Sequence, residues 1–229
     1  MSRHAVHQPS STLGRVVHRL EETVIAVILG LMTLITFVNV VLRYVFNDSL
    51  IWGLEVTLIL FAWLVLLGIS YGFKVTAHLG VDALVNVLPE RARRLLAVIA
   101  ALCCLAYAFL LLKGAWDYWA PFAALQPTEG RWFPLGFAEG VRDRAFYITD
   151  QVPMLGVFRW LEDAINYGEE YEKLPRVIPY FILPFSAALI LLRVIQATIA
   201  IVAGRQHGLI VSHEVEDALE QTARGEQGK

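Results

Sequence analysis

Few side chains in this 229-residue sequence stand where they could do chemistry against an apolar background. Arg43 closes one apolar run and Glu55 opens the next, with eleven residues between them. A cation suits a helix C-terminus and an anion an N-terminus, so the two are expected to pair across a hairpin; the functional alternative is an ion or substrate ligand. Arg193, followed by Gln196, lies late in the last apolar run, where its stem can snorkel to an interface. Lys74, His78 and Asp82 are spaced to share a helical face, but two or three such groups make a poor metal site and a better interfacial hydrogen-bond or ion-pair cluster. Gly68-x-x-x-Gly72 permits close helix approach, and Ala100, Ala101, Ala106 and Ala108 on the following run could receive it, unless the approach is to another subunit.

The rest of the chemical inventory is thin. Cys103 and Cys104 are neighbours within an apolar run; a bridge between them would be strained, and they read as small packing residues. No phosphate-binding glycine loop, nucleophile elbow, Cys-x-x-Cys or His-Glu-x-x-His pattern occurs. A haem anchor would need histidines inside the apolar runs, whereas His4, His7, His18, His78, His207 and His213 all fall outside them. No catalytic set, cofactor site or metal site is therefore assigned, and a net charge of −2 gives no reason to propose nucleic acid.

What positions these residues is a set of four apolar segments, 23–42, 54–73, 95–112 and 177–204. The chain is 57% hydrophobic and 17% charged, with mean hydropathy +0.56. Of its 19 basic and 21 acidic side chains only Glu55 and Arg193 lie inside those segments, so charge is segregated by solvent. A bilayer core about 30 Å thick takes about 20 helical residues at about 1.5 Å each. Each segment meets or approaches that length, which predicts an all-α membrane protein of four transmembrane helices. Pro179 and Pro184 should bend the last one, and the carbonyls they free must be satisfied by neighbouring helices or water.

Basic residues orient the spans. Arg15 and Arg19 precede the first, and Lys74, Arg91, Arg93 and Arg94 flank the connection between the second and third, while the hairpin 44–53 has neither Lys nor Arg. Both termini are expected on the cytoplasmic side. The first 22 residues form a cytoplasmic segment, too long before a full span to read as a cleaved signal, and 205–229 a polar tail with a short helix around 214–222. Val81, Leu84, Val85 and Leu88 recur at helical spacing and predict an interfacial cytoplasmic helix resting on membrane lipids before Leu88-Pro89.

The long segment 113–176 then forms a periplasmic insert before the last span. Trp116, Tyr118 and Trp119 resemble an interfacial aromatic belt, and Val157, Phe158, Leu161 and Ile165 predict a small amphipathic cap helix. Such a surface could pack on its own bundle, bind another subunit, or rest on the outer leaflet.

The run Asn39-Val40-Val41-Leu42-Arg43-Tyr44-Val45-Phe46-Asn47-Asp48-Ser49-Leu50-Ile51-Trp52, then Glu55, Phe61-Ala62-Trp63-Leu64 and Gly68, then Lys74-x-x-x-His78-x-x-Val81-Asp82 and Leu88-Pro89, resembles the small membrane subunit (DctQ type) of tripartite ATP-independent periplasmic (TRAP) transporters. Pro179-Tyr180, Pro184 and Leu191-Leu192-Arg193 fit the same pattern. The resemblance covers about 20–112 and 175–195. It departs at Leu54, where the family often has a second acid, and in 113–176, far longer than the family's usual connection.

The resemblance implies a bacterial inner-membrane complex in which a periplasmic substrate-binding protein delivers an organic acid, often a carboxylate, to a large multi-span subunit that binds substrate and sodium. The small subunit would be a non-catalytic partner holding that large subunit in the bilayer. Arg43, Asn47, Trp52, Glu55, Trp63, Gly68, Gly72, Lys74, His78, Asp82 and Arg193 would then serve folding and docking. The competing readings are a stand-alone four-span carrier or channel, against which the chain offers no internal repeat, and a membrane anchor of a redox enzyme, which lacks its histidines.

Overall fold

The computed structural model of the chain describes residues 12–75, 89–128, 130–134 and 144–203. Its long helices are α1 (Thr12–Val45), α2 (Gly53–Val75), α3 (Glu90–Trp119) and the broken pair α5 (Val177–Tyr180) and α6 (Ile182–Val202). Among the described residues four stretches are long and apolar enough to cross a membrane: Val16–Val45, Gly53–Gly72, Leu95–Ala123 and Val177–Ile199. The chain is an all-α membrane protein with four spans. The interfacial helix expected at 81–88, with His78 and Asp82, and the tail helix at 214–222 lie outside the described residues.

Helix α1 begins eleven residues before the apolar run it carries, because Val16, Val17 and Leu20 continue a helical pattern into the charged segment. Inside the spans, hydroxyls are satisfied locally: Thr33, Thr36, Thr57 and Thr198 each donate to the carbonyl four residues back, at 2.7–2.9 Å. No water is available there to do so.

The spans form a row and not a closed bundle. Helix α1 packs on α2, α2 on α6, and α6 on α3, so chain order and spatial order differ. The α3–α6 seam is the tightest, with Ala101 and Ala108 buried on α3 and Ile190 and Val194 on α6, flanked by Cys104, Leu105 and Leu191. Of the alanines that could have received Gly68 and Gly72, Ala101 and Ala108 are buried and Ala100 and Ala106 are exposed, and a Cβ at either glycine would meet no atom within 4 Å. The expected close approach of the second and third spans is absent.

Between α3 and α5 the chain builds a cap. After a 3-10 turn at Ala120–Ala123 come β1 (Ile148–Pro153), a second 3-10 turn at Gly156–Phe158, α4 (Trp160–Ile165) and β2 (Lys173–Pro175), with β1 and β2 antiparallel. Phe122, Ala123, Ala145, Leu161, Ile165, Tyr171 and Val177 form its core. The expected cap helix is shorter than its apolar stripe: Leu161 and Ile165 are buried and Phe158 packs against them, but Val157 sits in the 3-10 turn and is exposed.

Candidate functional site

The polar side chains of the spans converge on three joints, each holding helices to one another or to the cap. The first is the hairpin between α1 and α2. Asn47 takes the left-handed conformation (φ 51°), which asparagine tolerates, and so ends α1 while the amides of Phe46 and Asp48 both donate to Leu42 O at 3.1 Å. The chain then drops back alongside α1, where Asn39 Oδ1 accepts from the Leu50 amide at 2.9 Å. At Gly53 a Cβ would come within 3.2 Å of Leu50 and 3.5 Å of Ile35, so glycine permits the close return. Trp52, half-buried, contributes its carbonyl to the first turn of α2, accepting from Val56 N at 3.0 Å.

This geometry separates Arg43 from Glu55. Arg43 stands about 12 Å further along α1 than Ile35, the neighbour of Gly53, at about 1.5 Å per residue. Among the described residues the two form no ion pair. Glu55 instead accepts two backbone amides of the cap, Asp150 N at 3.0 Å and Gln151 N at 2.7 Å, one on each carboxylate oxygen. Strand β1 is held further by Arg176, whose Nε donates to Ile148 O at 2.9 Å and whose guanidinium reaches Asp150 at 3.2 Å. An acid at the mouth of α2 thus fastens the cap to the spans.

The second joint is the break in the last span. Pro179 and Pro184 bring no N–H, and a proline ring crowds the carbonyl four residues back, so the hydrogen-bond ladder is interrupted around Phe181, which itself keeps a helical backbone (φ −55°, ψ −27°) and donates to Val177 O at 3.1 Å. Two indoles satisfy carbonyls there: Trp63 Nε1 donates to Pro179 O and Trp119 Nε1 to Val177 O, each at 2.9 Å. Tyr180 packs edge-on to Phe122 (5.0 Å) and tilted to Tyr118 (5.5 Å). The aromatic belt expected at the end of α3 is therefore partly a joint between α3 and the last span.

The third joint lies at the end of the spans where the termini are. Arg193 on α6 pairs with Glu21 on α1 at 2.6 Å, both largely buried, and also donates to Gln196 at 3.3 Å. Alongside, Tyr71 on α2 donates to Glu22 at 2.8 Å, and buried His18 stacks on Tyr71 (5.7 Å between centroids) with Nε2 3.4 Å from Glu22. Arg193 is a cross-brace, not a snorkelling anchor, and His18 lies on the span-forming helix after all. Glu21, Glu22, His18 and Tyr71 were missed because the first span was counted from Thr23. A lone arginine at that depth was the available signal that an acid must stand at the same level. Lys74 lies in the last turn of α2.

A row of four spans whose polar groups join helix to helix and cap to helix defines a multi-pass membrane protein. Residues 32–137 match the family model described as tripartite ATP-independent periplasmic transporters, DctQ component. The chain is 44% identical over 210 residues to the C4-dicarboxylate TRAP transporter small permease protein DctQ of Vibrio cholerae, covering 92% of this chain and 83% of that protein. It is 31% identical over 241 residues to the protein of the same description from Pseudomonas aeruginosa, covering 93% and 97%. A putative TRAP transporter small permease protein of Haemophilus influenzae is 34% identical over 105 residues, 46% of this chain and 65% of that protein.

The chain belongs to the DctQ family, the small permease subunits of TRAP transporters, and is a multi-pass inner-membrane protein. Alignments that take in 92% and 93% of the chain cannot leave out 113–176. The insert is thus shared with these two relatives and is no departure peculiar to this sequence.

Proposed function

We propose that this chain is the non-catalytic small subunit that holds a large, substrate- and sodium-binding membrane subunit in the bilayer for uptake of an organic acid delivered by a periplasmic binding protein. The names of the Vibrio and Pseudomonas relatives support a C4-dicarboxylate as that acid. The basic flanks support cytoplasmic termini, which puts the cap on the periplasmic side, where a binding protein would arrive.

The observation that carries the reading is the row in which α2 lies between α1 and α6 with one stripe exposed. Leu54, Leu58, Phe61, Val65 and Ile69 form an exposed stripe along α2, the second helix of the row, and Gly68 and Gly72 continue it seven residues on from Phe61 and Val65. A sheet of helices with a small-residue notch suits packing against a larger membrane body. A shared chain also supports the partnership: the sialic acid TRAP transporter permease protein SiaT of Haemophilus influenzae is 25% identical over 141 residues, which take up 60% of this chain but 21% of that protein. Glu55, Lys113, Asp117, Glu21 and Arg193 are engaged with one another or with backbone, which favours a brace over a substrate path.

The test is reconstitution. The chain alone in liposomes should move no C4-dicarboxylate under a sodium gradient, and uptake should require the large subunit and the binding protein together with it. Sodium-driven uptake by this chain unaided would overturn the reading.

A further inference from the structure

Beyond the cap's core the chain makes a descent that neither the joints nor the proposed partnership uses. From the end of α3 it turns back and runs down one stripe of that helix. Leu125 N donates to Ala120 O at 2.9 Å, and Thr128 donates through both its amide and its hydroxyl to Asp117 Oδ1. A turn follows, closed by Arg131 N on Thr128 O at 2.9 Å with Gly130 at φ 70°, a conformation glycine adopts freely. Trp132 then stacks on Phe109, 6.1 Å between centroids and 26° between planes. Residues 120, 117, 113 and 109 follow one another at steps of three and four, so this is a single face of α3.

Depth along that face can be counted. The Lys113–Asp117 pair (2.7 Å), with Trp116, Tyr118 and Trp119 around it, marks the boundary of the span on the cap side. Phe109 lies one turn further in, about 6 Å at about 1.5 Å per residue, and helical side chains lean toward the N-terminus, deeper still. Thr128 stays level with the ion pair while the indole of Trp132 reaches past it. Trp132 is 65% exposed although it stacks on α3, and the next residue, Phe133, is 80% exposed.

We propose that 130–134 is an interfacial anchor: Trp132 and Phe133 are inserted in the cap-side leaflet of the bilayer and Arg131 lies among its phosphates. The surface is continuous with the lipid-facing side of α3, where Leu102, Phe109 and Leu110 are exposed. An irregular backbone is not tolerated in hydrocarbon, but here only side chains need enter it. Arginine beside two aromatic rings at such a boundary is the chemistry that anionic headgroups and the acyl edge recognise together. The anchor would fix the cap's tilt against the membrane, and it stands on membrane residence alone, whatever the partner.

The experiment places a nitroxide at residue 133 (Phe133→Cys, with Cys103→Ala and Cys104→Ala) in the full chain, both in liposomes and in native membrane vesicles. Collision with oxygen should exceed collision with a water-soluble nickel chelate, as for a label at Leu110. Greater access to nickel would place the turn in water, and shielding from both in native vesicles would place it under another protein; either overturns the proposal. Should the cysteine-free background not fold, Trp132→Phe in the native sequence gives the same decision. Tryptophan quenching by lipids brominated near the headgroup should fall relative to wild type, and unchanged quenching refutes the anchor.

Discussion

The indole nitrogen of Trp63 donates to the carbonyl of Pro179, joining the second span to the break in the last one at 2.9 Å. A carbonyl released by a helix break in a membrane has no water to turn to, and leaving it unpaired costs several kcal/mol in hydrocarbon. Trp119 adds a second donor to Val177 O, which already accepts from the Phe181 amide at 3.1 Å. The bend is thus held by a donor on each neighbouring helix.

Replacing Trp63 or Trp119 with Phe keeps most of the ring and removes the donor. Trp63→Phe should lower stability by about 1–2 kcal/mol, Trp119→Phe by less because Val177 O keeps the Phe181 amide, and the double change by more than either. Thermal unfolding in detergent, followed by circular dichroism, measures it. A Trp63→Phe protein as stable as wild type would mean that packing alone secures the break.

Glu55 holds the cap by two amides, and removal of its carboxylate in Glu55→Ala leaves Asp150 N and Gln151 N without that acceptor. These bonds lie in an exposed setting, so the loss should be modest, about 1 kcal/mol, and local. Hydrogen exchange at the amides of residues 150 and 151 should quicken several-fold while exchange within α3 and α6 is unchanged. Exchange equal to wild type at both positions would show that β1 is held by Arg176 and β2 without help from α2.

The four spans were legible because bilayer thickness imposes length and apolarity on contiguous residues, and the interrupted ladder of the last span was legible because proline chemistry is local. Arg43 and Glu55 were brought together from sequence by their helix ends, and the structure separates them because α1 runs on past the level at which α2 begins. That offset depends on the path of 46–53, set by Asn39 and Gly53, which no charge pattern reveals. Glu55's amide partners come from residues 95 and 96 positions later in the chain. The same applies to Arg193 and Glu21, 172 positions apart, whose meeting needs the order of helices in the row.

Arg193→Met should cost about 1–3 kcal/mol, because it removes the cation of a largely buried ion pair that ties α6 to α1; Glu21→Gln should cost less, since the amide can still accept from Arg193. Their coupling is the diagnostic quantity. In a double-mutant cycle the pair should show an interaction of about 1 kcal/mol or more, read from unfolding in the same detergent. Purely additive losses would mean that the two side chains support α1 and α6 separately.

Gly68 and Gly72 separate folding from assembly. Because a Cβ at either position meets no atom within 4 Å, Gly68→Leu and Gly72→Leu remove no space the subunit itself uses. Leucine is also the better helix former, by about 0.5–1 kcal/mol per site in an exposed helix interior. The isolated chain should therefore be as stable as wild type or slightly more so. If α2 presents its exposed stripe to the large subunit, two added isobutyl groups would hold that partner off the notch. Affinity purification of the doubly substituted chain should then recover several-fold less large subunit, with uptake falling in proportion. Full recovery of the partner by a chain that unfolds no earlier than wild type would move the docking face to another side of the row.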